Sequence, residues 1–395
     1  MKISISVPSR FWAFSLAKHL LEHGHLHCLV TSYPVWEVKK YGIPASKVRT
    51  IVSKEIMQRL YKKITGKYPT SVFLNNWFDR IASHKLPSNS DIYIIWAGFG
   101  SHSIQRLRKK NPNAIFIIER GSTHIQVQNE LLKIFKKTKE PINPEVIKKE
   151  LIEYELANFI ALGSSFAKKS FLEKGIPEKK IFVNNYGVDL SKFNLSLSLN
   201  NAGRNENSVF TIGYVGSIDK RKNVSGLINA VESIVKEGFE IRLILVGSHN
   251  QEEVPAVLLD RPFIEYRGVL PEDKLYKAYS DMDVFVLNSI EDGFGMVILQ
   301  AMAMGVVPVT TYNTGGPDVI EDGVNGFLIP VLDDAVLADR IKILMNSAEL
   351  RKAMGKAAMQ TTLKGFSWEE YGNRAIEFYK SIMQQNNSEE SKRSH

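Results

Sequence analysis

"EDGFGMVILQAMAMGVVPVTT", Glu291 to Thr311, decides the fold. From Phe294 to Met304 every residue is apolar or glycine except Gln300. A segment apolar on all its faces reads as a buried helix, and a buried amide requires hydrogen-bond partners, so the partner of Gln300 is the first question. Before this helix runs "DVFVL" (283–287) and after it "VVPVT" (306–310), both reading as strands. Strand, glycine loop, helix and strand form the repeating unit of a parallel α/β sheet.

Working outward, the same alternation recurs along the chain. Further strands are expected at 2–7, 26–30, 92–96, 114–118, 159–162 and 181–183, and again at 210–215, 241–246 and 263–267. Two such series imply two Rossmann-like domains, spanning 1–190 and 205–366. Between them "SLSLNNAGRNENS" (196–208) is polar and aperiodic, and reads as a linker. Segment 367–385 carries Trp368, Tyr371, Ala375, Phe378 and Ile382 at helical spacing behind an N-cap Ser367. The tail, 386–395, reads as disordered.

A length of 395 residues fits two or three domains, and a hydrophobic content of 44% fits a globular chain. Cys28, the single cysteine, excludes an intramolecular disulfide and fits a reducing compartment. The opening "MKISISVPSRFWAFSLAKHLL" has neither the long apolar core of a signal peptide nor an anchor, so a cytoplasmic protein is expected. Net charge is unevenly spread, with 30 Lys and Arg against 15 Asp and Glu in residues 1–190, then 21 against 27 in the remainder. Either a solvated lysine-rich surface or an anionic partner accounts for the basic half. "LLKIFKKTK" (131–139) sets Leu131, Leu132 and Phe135 beside four lysines, the pattern of a helix lying on the inner face of the cell membrane. Nucleic acid is not expected, because no recognised motif interleaves aromatic and basic residues.

Three loops fall at carboxyl ends of strands in the second series, where open α/β sheets bind ligands. "YVGSIDKRKN" brings Lys220, Arg221 and Lys222 to a helix start, where cations oppose the dipole unless an anion joins them. A diphosphate clamp and a solvated turn both fit. "EDGFG" and "TYNTGGPDVI" add glycine turns, with Asp292 as ligand contact or N-cap and Gly293 and Gly295 permitting close approach. In the first series "WAGFGSHS" nearly meets the dinucleotide fingerprint, with Glu119 at the end of the next strand. Ser103 replaces its third glycine and the turn is not on the first strand, so nicotinamide and flavin are set aside. "HGHLH" (23–27) straddles a glycine turn and lacks the spacing of a metal pair.

These residues resemble the retaining glycosyltransferases of family 4. "YGVDLSKF" (186–193), "RGVLPEDKLYKAYSDMDVFVLNSIEDGFG" (267–295), "AMAMGVVPVTT", "GGPDVI", "DGVNGFLI" (322–329) and "FSWEEY" (366–371) carry the resemblance, which covers nearly the whole chain. It implies the GT-B fold, in which two Rossmann-like domains face each other across a cleft and the C-terminal helix crosses back to the first. It also implies a nucleotide-sugar donor held mainly by the second domain, and no metal or other cofactor. Lys222 matches the family's phosphate-binding lysine. Ser217 stands at its arginine and Asn223 at its glycine, with Arg221 as substitute cation. The family's two glutamates fall on Asp292 and Gln300, which places Asp292 on the transferred sugar and Gln300 on the ribose. Glu291, out of register, is expected to be solvated. Gly216, Val269, Phe294, Gly295 and Met296 complete the implied donor site. A catalytic histidine maps to His124, with Glu119 and Arg120 as neighbours in a loose register, and Ser9 and Arg10 map to an acceptor or phosphate loop. The expected activity is metal-independent, retaining transfer of a hexose from a UDP- or GDP-sugar to a glycan, lipid-linked or small-molecule hydroxyl. The alternative is a GT-B-like protein that binds nucleotide-sugar or membrane without catalysis.

Overall fold

The computed structural model describes residues 1–65, 71–136, 141–190 and 209–393. Within these residues the chain forms two all-parallel sheets. The first contains β1 (Ile3–Val7), β2 (Leu26–Thr31), β3 (Val48–Thr50), β4 (Ile92–Trp96), β5 (Ile115–Arg120), β6 (Phe159–Leu162) and β7 (Ile181–Val183), in the order β3-β2-β1-β4-β5-β6-β7. The second contains β8 (Phe210–Val215), β9 (Ile241–Val246), β10 (Ile264–Gly268), β11 (Val284–Leu287), β12 (Val307–Thr311) and β13 (Phe327–Ile329), in the order β10-β9-β8-β11-β12-β13. The apolar runs become interior strands because helices cover both faces of each sheet; β1, β4, β8 and β11 are buried at every residue. The expected strands appear within two residues of their predicted limits. Two were missed, Val48–Thr50 and Phe327–Ile329, three-residue edge strands too short to show a pattern.

Strand order reverses direction between β1 and β4 in one sheet and between β8 and β11 in the other. Loops leaving the carboxyl ends at such a switch point diverge and leave a crevice. The 196–208 segment read as a linker lies outside the described residues.

The final helix, Trp368–Arg393, starts with a capping box in which Glu370 N donates to Ser367 Oγ (3.1 Å) and Ser367 N to Glu370 Oε2 (2.9 Å). It lies on the first domain. Phe378 stacks on Phe182 at 3.9 Å between ring centroids, Arg374 reaches Asn184 Oδ1 and the Asn185 carbonyl at 2.8 Å each, and His19 meets Asn373 at 3.0 Å. The helix continues to Arg393, so the stretch read as a disordered tail is helical as far as that residue. Helix Ile125–Lys136 also departs from expectation: Leu132 is buried and Leu131 half-buried, so the proposed lipid-facing stripe is partly turned into the domain, while 137–139 lie outside the described residues.

Candidate active site

The turn after β8 is ordered by its own side chains. Ser217 Oγ donates to Asp219 Oδ2 (2.6 Å), and Asp219 Oδ1 accepts from Lys222 N (2.9 Å). Asn223 has φ 52°, a left-handed conformation that glycine adopts freely and asparagine tolerates. An asparagine can therefore take the place expected of a glycine here. Gly216 N donates to Val246 O at 2.9 Å, so that amide is taken by the end of β9.

Across the switch point, the loop after β11 supplies two adjacent carboxylates. Lys222 Nζ donates to Asp292 Oδ2, and both groups are largely withdrawn from solvent. Burial pushes the Asp292 carboxyl up, but the Lys222 ammonium and the Arg221 guanidinium outweigh it and hold it below the ordinary aspartate value. Arg221 Nη1 donates to the Glu291 carbonyl at 2.8 Å and lies 3.6 Å from its Oε2.

Glu291 was expected in solvent, yet it is fully buried. Its Oε1 accepts from Ser122 Oγ, from Thr123 N (3.1 Å) and from Thr123 Oγ1 (3.1 Å), and its Oε2 from Gln128 Nε2 (3.1 Å). All four donors belong to the first domain. A charge can be buried only with such partners, and this one ties the Arg221 loop to the opposite domain. Gly293 serves the same junction. A Cβ there would sit 2.2 Å from Gly121 O, and Ser164 Oγ donates to the Gly293 carbonyl, so the close approach at Gly293 is to the other domain's backbone rather than to a ligand.

Gly295, φ 78°, caps helix Met296–Ala303. Gln300 on that helix is half-buried rather than enclosed. Its Oε1 accepts from Tyr279 Oη at 2.9 Å, which answers the opening question, and its side chain reaches the interdomain cleft. The cleft holds about 1140 Å³ and is lined on the second-domain side by Tyr276, Met296 and Gln300, and on the first by Arg10, Phe11 and Tyr41. Phe294 packs on Tyr186 (5.2 Å), which stacks on Trp12 (4.3 Å), so a buried aromatic file joins the two domains.

Residues 200–361 match the family model described as glycosyl transferases group 1. The capsular polysaccharide biosynthesis glycosyltransferase CapM of Staphylococcus aureus is 30% identical over 233 residues, covering 54% of this chain and 60% of that protein. The O-antigen chain mannosyltransferase B of Escherichia coli is 32% identical over 176 residues, 43% of this chain and 45% of that one. Over these residues the chain is similar to the group 1 glycosyltransferases. Its matches thus span 36–60% of the first three curated relatives' own lengths. Likeness of fold extends further. HepE of Anabaena, crystallised with UDP and glucose, superposes with a TM-score of 0.71 at 15% identity, covering 96% of this chain and all of that one. Sucrose-phosphate synthase of Thermosynechococcus elongatus gives 0.70 at 15% identity over 98% and 100%. The fold is GT-B.

The first domain corrects several expectations. His124 is buried between Tyr154 (5.1 Å) and Phe171 (5.0 Å), away from the cleft residues, and burial followed by the Arg120 charge depresses its pKa to about 4. It is a neutral core histidine. Arg120 pairs with Glu150 (3.3 Å) and donates to Gln128 Oε1 (2.8 Å). Glu119 is enclosed beside Trp12 Nε1 (3.2 Å), and burial pushes its pKa up to about 8. Arg10 does face the cleft, donating to Tyr41 Oη, and Ser9 is half-buried beside it. Val269 stands exposed just past β10 and is absent from the cleft lining. Phe11, whose φ of 37° is unusual for an aromatic residue, is a cleft residue that sequence reading passed over, although it follows directly on Ser9 and Arg10. No group of three or more His, Cys, Asp or Glu side chains is placed to hold a metal among the described residues.

Proposed function

We propose that this protein transfers a hexose from a UDP- or GDP-sugar to an acceptor hydroxyl on a glycan, lipid-linked or small-molecule substrate, with retention at the anomeric carbon, as part of polysaccharide or glycoconjugate biosynthesis. The observation that carries this reading is the pair of buried or half-buried cations, Lys222 and Arg221, at the β8/β11 switch point, on the domain that also presents Gln300 to the cleft. The leaving diphosphate takes its neutralisation from these two side chains, so stabilisation of the leaving group is the main catalytic term. Lys222 pairs with Asp292. Donor binding then requires Lys222 to exchange part of that contact for a phosphate oxygen, which frees Asp292 to accept from the sugar's hydroxyls. Gln300 accepts from or donates to the ribose. The leaving oxygen, with its developing charge, takes the acceptor's proton as the acceptor attacks from the same face. The acceptor enters beside Arg10 and Phe11.

Incubation of purified protein with UDP- and GDP-hexoses tests this directly. Release of nucleoside diphosphate with free sugar or glycoside, unchanged by chelator and with the donor's anomeric configuration in the first-formed product by NMR, is expected. Nucleotide-sugar binding without release from any donor leaves the binding-only alternative, to which the replacement of both family glutamates by Asp292 and Gln300 lends weight. Activity restored only by a divalent cation overturns the clamp.

A further inference from the structure

Helix Ser53–Thr65, "SKEIMQRLYKKIT", is strongly amphipathic, and it turns its apolar stripe outward. Ile56, Leu60 and Ile64 repeat at i, i+4 and i+8 and are all exposed, Ile64 to 80%. The helix that follows, Ser71–Lys85, lies against it, with Trp77 Nε1 donating to Ser53 Oγ at 3.3 Å. It adds exposed Phe73 and Trp77, whose rings stack at 6.4 Å. Among the described residues, six of the twenty exposed large apolar side chains fall between 56 and 77. Single exposed apolar residues are ordinary; a contiguous set marks a surface that is covered in use.

Charge selects the occupant. The helix sequence carries Lys54, Arg59, Lys62 and Lys63 against one carboxylate, Glu55, and belongs to the half of the chain with twice as many cations as anions. An exposed apolar stripe in a helix whose sequence is rich in cations and low in net hydrophobicity has the chemistry of binding in the interface of an anionic bilayer. No described helix is long and apolar enough to cross a membrane. We propose that helices 53–65 and 71–85 dock this protein on an anionic phospholipid surface. The placement suits the cleft. β3 is the edge strand of the first sheet, its carboxyl end leads directly into helix 53–65, and Lys40 and Tyr41 on the approach to β3 line the cleft mouth. A lipid-linked acceptor would therefore be delivered at the first-domain rim, a consequence that rests on the transferase reading, whereas the docking itself does not.

Co-sedimentation with phosphatidylglycerol-containing vesicles tests the docking without any turnover. The protein should pellet with these vesicles, remain in solution with pure phosphatidylcholine, and be released as salt rises. A Leu60→Glu/Ile64→Glu variant should lose binding about tenfold or more while keeping its melting temperature, because both side chains are exposed. Fluorescence of Trp77 should be quenched by brominated lipid, and Trp77→Phe should remove that signal. Equal binding by the native and double-variant proteins, no binding to anionic vesicles, or a lipid-free dimer on gel filtration that the double variant abolishes would each overturn the proposal, the last by making the stripe a contact between two copies.

Discussion

The two switch points have the same topology and opposite electrostatics. In the first domain, the turn after β4 opens helix Ser101–Lys110 with its amides grouped as an anion site would have them. Those amides are already occupied from within. Glu153 accepts from the N–H groups of Gly98, Gly100 (2.7 Å) and Ser101 (3.1 Å), and Asp79 from those of His102 (2.8 Å) and Ser103 (3.0 Å). In the second domain the turn after β8 carries cations, and their partners Glu291 and Asp292 come from the loop after β11. A near-perfect phosphate fingerprint is thus sealed by internal carboxylates, while a departure from the family pattern keeps the chargeable site. Anion binding is decided by what already fills the donors, not by the glycine spacing.

That contrast can be broken most forcefully at the sealed end. Glu153→Ala strands three buried N–H groups and should cost about 3 kcal/mol or more of stability by chemical denaturation, with nucleotide affinity of the folded protein unchanged. Burial also pushes the Glu153 pKa up to about 8, against the pull of Lys149 and of the Gly100 amide. A carboxyl raised on folding contributes stability that is complete below its ordinary value and lost as pH rises through the folded one. Denaturation midpoints should therefore fall between about pH 5 and 9, and less steeply in Glu153→Gln. A flat native profile would mean the group is ionised throughout.

At the open end, Lys222→Ala should lower turnover on the order of 10²-fold, about 2.7 kcal/mol of barrier, with a smaller change in melting temperature. Undiminished turnover would remove Lys222 from the clamp. Glu291→Gln keeps the shape but replaces charge-assisted bonds to the first domain with neutral ones, a difference of about 1–2 kcal/mol. Roughly tenfold lower kcat/KM is expected, with nucleoside diphosphate affinity little changed; calorimetry beside steady-state kinetics separates domain positioning from donor binding. The smallest effect lies at Gln300. Gln300→Glu still accepts from Tyr279 and adds charge toward two ribose hydroxyls, so nucleoside diphosphate should bind about fivefold tighter, near 1 kcal/mol. Unchanged affinity in titration calorimetry for both Gln300→Glu and Gln300→Ala would sink the ribose contact.

Legibility followed locality. Interior strands announced themselves because β-branched runs buried on both faces leave a local trace, and the loops at their carboxyl ends could be read by position. Val48–Thr50 and Phe327–Ile329 left too little trace, and the tail's polarity hid a helix that continues to Arg393. Single side chains depended on the other domain. Glu291 is buried only because Ser122, Thr123 and Gln128 arrive from 160 or more positions away, and nothing near it in sequence says so. His124 sat in a plausible register and still points into a core, since ring orientation is set by Tyr154 and Phe171.

The returning helix also sets an order of events in synthesis. Phe182, Asn184 and His19 wait for Phe378, Arg374 and Asn373, which are the last of these to leave the ribosome. A domain usually folds as soon as it is made, but here the one begun first is finished last, after the whole second domain has been translated. Until then its uncovered face, Phe159 and Phe182 included, is a sticky surface that a nascent chain has to protect.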